Sequence, residues 1–460
     1  MPIAPGSSRI VGFTAHGLPG GRSYKLDLTG KAAIIVGPNG SGKSTFLNAF
    51  YLFISRQWHR LNEYDFTSLI LHLTDEDITI NRLDVLAIDV PLNRSPLVRR
   101  TLERLSASGA TELLFKEKLD AADRARFSDS ASLPLDQVNR YWRMLKAELA
   151  PSQNAIRADK KIQDLQLGQI LYLPTYRRIE KDIKSIFPDI EARMRNHFED
   201  SVIGSRSGQG FREIAGFGMS DIDKLIKDAT SSAQRFQQQA SESASQQYIK
   251  EIVKGSIKKY SLKNIRKLDD SEFNDFYERL DSSLFSQSDR DVLREKISDI
   301  RQANNGQPSA DRRYLGMFVE KLLAAHKSVK EQEKPLQMFV SLVNKYLQPT
   351  KKASMPGLEF CIHSDGSIDP IPLDMLSSGE KQIISIFAHL LLSGHDQFFV
   401  FIDEPELSLS VPWQKTFLPD IMSTGKCAHL LSVTHSPFVF DNGMSNDVID
   451  VRKLRVADHG

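Results

Sequence analysis

The sequence predicts an α/β fold in which one mixed sheet, carrying a phosphate-cradling loop, is assembled from two separated stretches of chain with a helical domain inserted between them. Three observations predict it. A glycine-rich loop, Gly37-Pro38-Asn39-Gly40-Ser41-Gly42-Lys43-Ser44-Thr45, stands between the apolar run Ala32–Val36 and the helix-like Phe46–Leu52. A second apolar run, Phe398–Ile402, ends in the paired carboxylates Asp403 and Glu404. Between the two, residues 181–347 are polar and helix-rich with almost no strand signal.

The chain opens with two short strands, Arg9–Phe13 and Tyr24–Leu28, on either side of the turn-rich Gly17-Leu18-Pro19-Gly20-Gly21, a hairpin flanking the sheet. The glycine-rich loop follows. Phosphate oxygens need a concave array of backbone N–H donors, and Gly37, Gly40 and Gly42 let the backbone wrap that closely. A helix starting near Lys43 adds its positive dipole end. Lys43 is placed to reach β- and γ-phosphates and the Ser44 hydroxyl to coordinate Mg²⁺, with Asn39, Ser41 and Thr45 completing the loop. A plain glycine-rich turn is the alternative for the bare pattern; its strand, loop, helix setting favours a nucleoside triphosphate site.

Asp77–Ile80 and Val85–Val90 read as further strands, and Leu97–Leu149 as helical and charged. Gln169–Pro174 is an apolar run stopped by proline, a buried strand, with Thr175-Tyr176-Arg177-Arg178-Ile179-Glu180 at its exit. The inserted segment carries the low-complexity stretch Ser231–Gln247 and a loop at Ala303–Ser309. Strand signals return at Leu358–Ile362. Residues 1–180 and 348–460 are therefore expected to form one head in two parts, and residues 181–347 a helical insertion, either short and coiled-coil-like or effector-binding.

At 460 residues and 51.9 kDa the chain is long enough for two or three domains, and 40% hydrophobic with 26% charged residues is a globular composition. Sixty basic against 58 acidic residues leave a net charge of +2, so any nucleic-acid contact has to be a local patch. Cys361 and Cys427 stand far apart and outside any Cys/His cluster, which predicts reduced thiols. No signal-peptide pattern opens the sequence, and no apolar run approaches the ~20 residues that span a bilayer. A cytoplasmic protein without membrane contact is expected.

Four later features narrow the chemistry. The Phe398–Ile402 run suits a strand buried on both faces, whose C-terminal end is where α/β sheets place ligands. There Asp403 is suited to hold Mg²⁺ through water, and Glu404 to orient and deprotonate an attacking water; a solvated acidic turn is the alternative. Leu376-Ser377-Ser378-Gly379-Glu380-Lys381-Gln382 opens a helical stretch, and Ser377 and Gly379 at its N-terminus form either an anion cradle or a simple capping arrangement. His435, after the apolar Leu430-Leu431, sits at a strand exit where it would bond a γ-phosphate or polarise water; a lone histidine is more often a surface or core residue. Pro405-Glu406-Leu407-Ser408-Leu409-Ser410 either couples the catalytic carboxylate to a partner subunit or is a plain connection.

The order GPNGSGKST, LSSGEKQ, FFVFIDEPE, SVTHS resembles the ABC-type ATPase family, in the branch with a helical insertion that includes SMC, RecF and OLD-like proteins. The likeness covers Ile10–Pro174 and Leu347–Val451. It implies an ABC-ATPase head with ATP and Mg²⁺ sandwiched between two copies, the phosphate loop of one facing Ser377 and Gly379 of the other, and so at least a homodimer. The family's glutamine between loop and signature has no obvious counterpart, Thr175-Tyr176 occupying that strand exit, and Ser408 and Ser410 stand where many relatives carry histidines.

The insertion lacks the sustained heptads of a long SMC coiled coil and any zinc-hook Cys-x-x-Cys, and no Toprim or other nuclease centre is recognisable. Leu173–Glu180, Glu406–Ser410 with Trp413-Gln414, and His435–Asn442 are similar to stand-alone anti-phage defence ATPases of the AriA type found in PARIS systems, with the PtuA type of Septu and retron systems near. That resemblance implies an oligomer holding a separate nuclease effector, of Toprim or HNH type, that responds to a phage trigger protein. The alternative is a RecF-like repair clamp, for which Lys250, Lys254, Lys258, Lys259, Lys263, Arg266 and Lys267 would contact DNA phosphates unless they are only a solvated face. Arg177 and Arg178 could serve ATP, a neighbouring head or the partner.

Overall fold

The structure is a computed structural model that describes residues 9–28, 30–82, 84–85, 104, 108, 113, 119–142, 153–165, 167–174, 211–213, 219–267, 273–274, 276–277, 286–302 and 309–456. The chain divides into two compact units, residues 1–217 with 395–460, and residues 218–394. In the first unit β1 (Ile10–Leu18) and β2 (Arg22–Asp27) form the expected hairpin, followed by β3 (Ala32–Val36), α1 (Lys43–Ile54) and the short α2 (Trp58–Asn62). β4 (Ser68–Leu73) and β5 (Asp77–Asn81) alternate buried and less buried positions, the pattern of strands covered on one face. Val85, expected to start a strand, is helical, as is Asp84 before it; residues 86–90 lie outside the described residues. α3 (Ala121–Ala131), capped by a reciprocal Asp120–Asp123 box, and α4 (Gln153–Asp164) precede β6 (Gln169–Leu173). Thr175, Tyr176, Arg177 and Arg178 lie outside the described residues. β7 (Phe211–Glu213) pairs in parallel with β6, so the stretch read as having almost no strand signal contributes a strand to the sheet. Three residues are too short to raise a hydrophobic-run signal.

The second unit is built on two long helices, α5 (Ser220–Val253), which contains the low-complexity stretch, and α7 (Ala310–Leu347), with α6 (Gln287–Gln302) between them in sequence. Tyr248 of α5 meets Phe318 of α7 edge-on at 5.1 Å. The unit continues past residue 347, where the insertion was expected to end. β8 (Lys351–Ser354) and β9 (Cys361–Ser364) form an antiparallel pair, and α8 (Ser378–Leu392) packs on α7 through Phe387 and Tyr346, 5.9 Å apart. Leu358 was expected to start a strand; instead Gly357 and Leu358 adopt left-handed φ values of 58° and 63°, and the paired strand begins only at Cys361.

The chain returns to the first unit with β10 (Phe398–Asp403), α9 (Val411–Ser423), β11 (Cys427–Thr434) and β12 (Val448–Asp450). Parallel and antiparallel pairings occupy separate sheets: β2-β1-β4-β5 is antiparallel, and β12-β3-β11-β10-β6-β7 is parallel throughout. The two halves of sequence thus share one sheet, as expected. α1 is buried between the sheets: Phe13 of β1 stacks on Phe50 at 4.3 Å, and Phe50 meets the edges of Phe401 at 5.4 Å and Phe399 at 5.9 Å from β10. A helix covered on both sides has to be apolar nearly all round, and α1 is, apart from its first turn and Asn48, which accepts from the Tyr172 hydroxyl. No helix among the described residues is long and apolar enough to cross a membrane. Cys361 and Cys427 are free thiols, and burial pushes Cys427 up to about 12.

Candidate functional site

Parallel pairing puts the C-terminal ends of β3, β10 and β11 on one edge, in register: Val36 lies beside Thr434, and Asp403 beside Val433. The next residues, Gly37, Glu404 and His435, therefore leave the sheet side by side. This is the edge where parallel sheets collect their ligands.

Each glycine of the loop has a steric reason. A Cβ on Gly37 would lie 2.5 Å from Val451 Cγ1. Gly42, with φ of 84°, would bring one to 2.9 Å from the Tyr24 hydroxyl, and Gly40 has φ of 71°. β2 braces the loop from outside: Arg22 Nη1 donates to Gly40 O at 2.6 Å and the Tyr24 hydroxyl to Ser41 O. α1 begins at Lys43, so its first N–H groups, which have no acceptor inside the helix, lie at the loop.

Lys43 is 4% exposed, and its ammonium donates to Gly37 O at 2.9 Å, Pro38 O at 3.0 Å and His435 Nε2 at 3.0 Å. An ammonium only donates, so Nε2 of His435 is the acceptor in this contact. Burial pulls the Lys43 ammonium below its ordinary value, against the opposing pull of Glu404, Asp403 and Glu406. Ser44 Oγ donates to Asp403 Oδ1 at 2.8 Å, across 359 positions of sequence. Glu404 Oε1 lies 3.7 Å from His435 Nε2. Burial raises the Glu404 carboxyl above its ordinary value, Asp403 and Glu406 add to the rise, and His435 and Lys43 oppose it.

The donor set fits a triphosphate with Mg²⁺. Among the described residues Ser41 Oγ is buried inside the loop without a hydrogen-bond partner, a polar atom that an oxyanion at the loop would satisfy. Ser44 and Asp403 offer a hydroxyl and a carboxylate, the hard oxygen ligands Mg²⁺ takes while keeping its waters.

Ser377 and Gly379 belong to the second unit, at the start of α8. Here the capping arrangement weighed for this motif is present: Ser377 Oγ accepts from Glu380 N at 3.3 Å, and Ser377 N donates to Glu380 Oε2 at 2.8 Å. Lys351 grips both oxygens of Glu380 at 2.7 and 2.8 Å. Burial alone would raise that carboxyl, but the bonds from Lys351 and Ser377 outweigh it and hold it below its ordinary value.

Four contributors escaped the sequence reading. Arg22 and Tyr24 lie before the loop on β2, of which only Tyr24 onward was read as a strand, and that as a hairpin arm. Glu406 was placed in a connecting or coupling loop, yet it accepts from Thr434 Oγ1 at 2.7 Å and from His435 N at 2.8 Å. Gln414 bridges that loop to Ser436.

A family model described as the AAA ATPase domain matches residues 21–440. The chain belongs to this family. No curated protein matches it. Among solved structures, it is similar to the Smc head domain with an extended coiled coil bound to the C-terminal domain of ScpA from Pyrococcus furiosus, at 12% identity over 96% of this chain and 93% of that one, with a TM-score of 0.35. The Smc head domain with a coiled coil and joint from Pyrococcus yayanosii matches at 14% identity over 96% and 95%, with a TM-score of 0.30. In this AAA ATPase one lysine, one hydroxyl, two adjacent carboxylates and a histidine meet at the edge beside the glycine-rich loop.

Proposed function

We propose that the protein binds ATP with Mg²⁺ at the shared edge of β3, β10 and β11 and hydrolyses it to ADP and phosphate, with Glu404 as the general base. The contact that carries this reading is Ser44 Oγ to Asp403 Oδ1 at 2.8 Å, which joins the phosphate loop to the acidic strand end. The loop from Gly37 to Thr45 cradles the phosphates and Lys43 supplies a point charge to them. Mg²⁺ held by Ser44 and Asp403 would neutralise charge developing on phosphate oxygens. Glu404 accepts the proton of the attacking water, a task its raised pKa suits, and His435 orients toward the terminal phosphate.

Ser377 and Gly379 complete the site from a second copy of the chain, which makes the working unit at least a dimer; ATP is the ligand that favours the closed pair. Removing Lys43 (Lys43→Ala) is expected to abolish ATP binding, measured with a fluorescent nucleotide. Glu404→Gln should retain binding and lose ~10²–10⁴ in turnover. Wild-type hydrolysis in that variant would sink the assignment of the base.

At the finer level we infer a bacterial anti-phage ATPase of the AriA type, an oligomer that holds a separate nuclease effector of Toprim or HNH type and releases or activates it when a phage trigger protein is sensed. Its support is the motif likeness of Leu173–Glu180, Glu406–Ser410 and His435–Asn442. A pull-down of the tagged protein from its native host tests it: a co-purifying small nuclease is expected. A DNA-bound dimer without a protein partner would favour the repair-clamp reading instead, to which the exposure of Lys250, Lys254, Lys263 and Lys267 lends support. In that case duplex binding should weaken steeply with salt.

A further inference from the structure

His435 is held by its backbone, from both sides, by a loop that belongs to a different strand. Glu406 Oε1 accepts from the amides of His435 at 2.8 Å and Ser436 at 3.2 Å, while Oε2 accepts from the hydroxyl of the fully buried Thr434 at 2.7 Å. Gln414 adds a second anchor. Its Oε1 accepts from Ser436 Oγ at 2.7 Å and its Nε2 donates to Leu409 O at 2.9 Å, closing the loop that carries Glu406. At the root of the same loop, Glu404 N donates to Val433 O at 2.9 Å. Residues 404–410 and 433–436 are thus stitched together by side chains and backbone.

A carboxylate that accepts three hydrogen bonds from three consecutive residues has no spare role as a solvated charge; its geometry is that of a clamp. What it clamps is the pivot of the His435 side chain, whose Nε2 lies 3.0 Å from Lys43 and 3.7 Å from Glu404. A shift of His435 by about 1 Å at its backbone would misplace both contacts, and positioning errors of that size carry large rate penalties.

We propose that Glu406 is a positioning residue of the ATPase site, which sets His435 against Glu404 and ties it to the Pro405–Ser410 loop, so that whatever displaces this loop displaces His435 with it. The proposal rests on the ATP-hydrolysis reading above. Among the described residues Glu406 makes no hydrogen bond to Lys43 or the phosphate loop, and its pull on the Lys43 ammonium is the weakest of the three carboxylates', so its loss should act mainly on turnover and little on nucleotide affinity.

Glu406→Ala in the full-length protein is expected to lower kcat ~10–100-fold, the range seen when groups that orient a functional side chain are removed, with KM for ATP within about threefold. Glu406→Gln keeps the acceptor oxygen for the two amides and should restore most of the rate. Glu406→Ala placed in a His435→Ala background should cost almost nothing further, because a residue acting through His435 has nothing left to position. Full additivity of the two losses, or a KM effect with kcat intact, would overturn the proposal. Amide hydrogen exchange across residues 430–440 reads the clamp without turnover: Glu406→Ala should exchange faster there, Glu406→Gln like wild type, and equal exchange in all three would overturn the clamp. A wild type that exchanges as expected but hydrolyses no ATP would overturn the ATPase reading alone.

Discussion

Glu404 occupies a backbone conformation that side chains avoid. Its φ of 52° is left-handed, and the turn it makes ends β10 abruptly while its N–H still reaches Val433 O. A non-glycine residue there costs ~1 kcal/mol, more for a β-branched one. Glu404→Asn and Glu404→Val should therefore both be inactive, with the valine variant less stable in urea by a further ~1 kcal/mol. Charge adds a second cost. The raised carboxyl means that folding is favoured while Glu404 is neutral, and this contribution is lost as pH rises from its ordinary value, 4.5, through the raised native value. Glu404→Gln, neutral at every pH, should be more stable than wild type at pH 7, with the advantage vanishing toward pH 4; an advantage independent of pH would point to packing instead. The acid limb of the pH–kcat profile should likewise lie above the usual glutamate range. At the loop, Gly42→Ala forces a Cβ to 2.9 Å from the Tyr24 hydroxyl at a positive φ, and is expected to cost 1 to 3 kcal/mol, roughly, together with nucleotide affinity.

Among the elements, α1 links the site to the core. Phe50 is fully buried between Phe13 of the antiparallel sheet and Phe399 and Phe401 of the parallel one, and Phe50→Ala should cost ~3–5 kcal/mol in chemical unfolding. Because α1 starts at Lys43, that cavity should also weaken ATP binding. These elements were legible in advance: Ala32–Val36 and Phe398–Ile402 are short continuous apolar runs, which suit a strand buried on both faces, and the loop chemistry between Gly37 and Thr45 admits few alternatives. The rest was hidden for physical reasons. β7 is three residues long, and the left-handed turn at Gly357 and Leu358 trimmed a strand that hydrophobic content alone predicted. Pattern reading places Glu406 within its motif but says nothing of which backbone its carboxylate turns toward, and the bracing of the loop by Arg22 and Tyr24 is likewise tertiary.

For the whole molecule, the allocation of residues to units sets a test. Lys43 lies in the first unit and Ser377 in the second, at a helix start fixed by Lys351 and Glu380. If two copies share each ATP site, Lys43→Ala and Ser377→Arg should each be inactive alone, whereas their mixture regains roughly a quarter of wild-type turnover, since half of the randomly formed dimers carry one intact site of two. No recovery on mixing would argue that each chain works by itself. The separation of Ser44 from Asp403 by 359 positions has a consequence during synthesis. At bacterial and eukaryotic elongation rates of about 5–20 residues per second, β3 and α1 leave the ribosome roughly 20 to 70 s before their partner strands β10 and β11 exist. Throughout that interval Phe50 lacks Phe399 and Phe401, the rings of β10 that will cover it, so the nascent chain is a natural client for a chaperone, and it acquires its nucleotide site among the last things it makes.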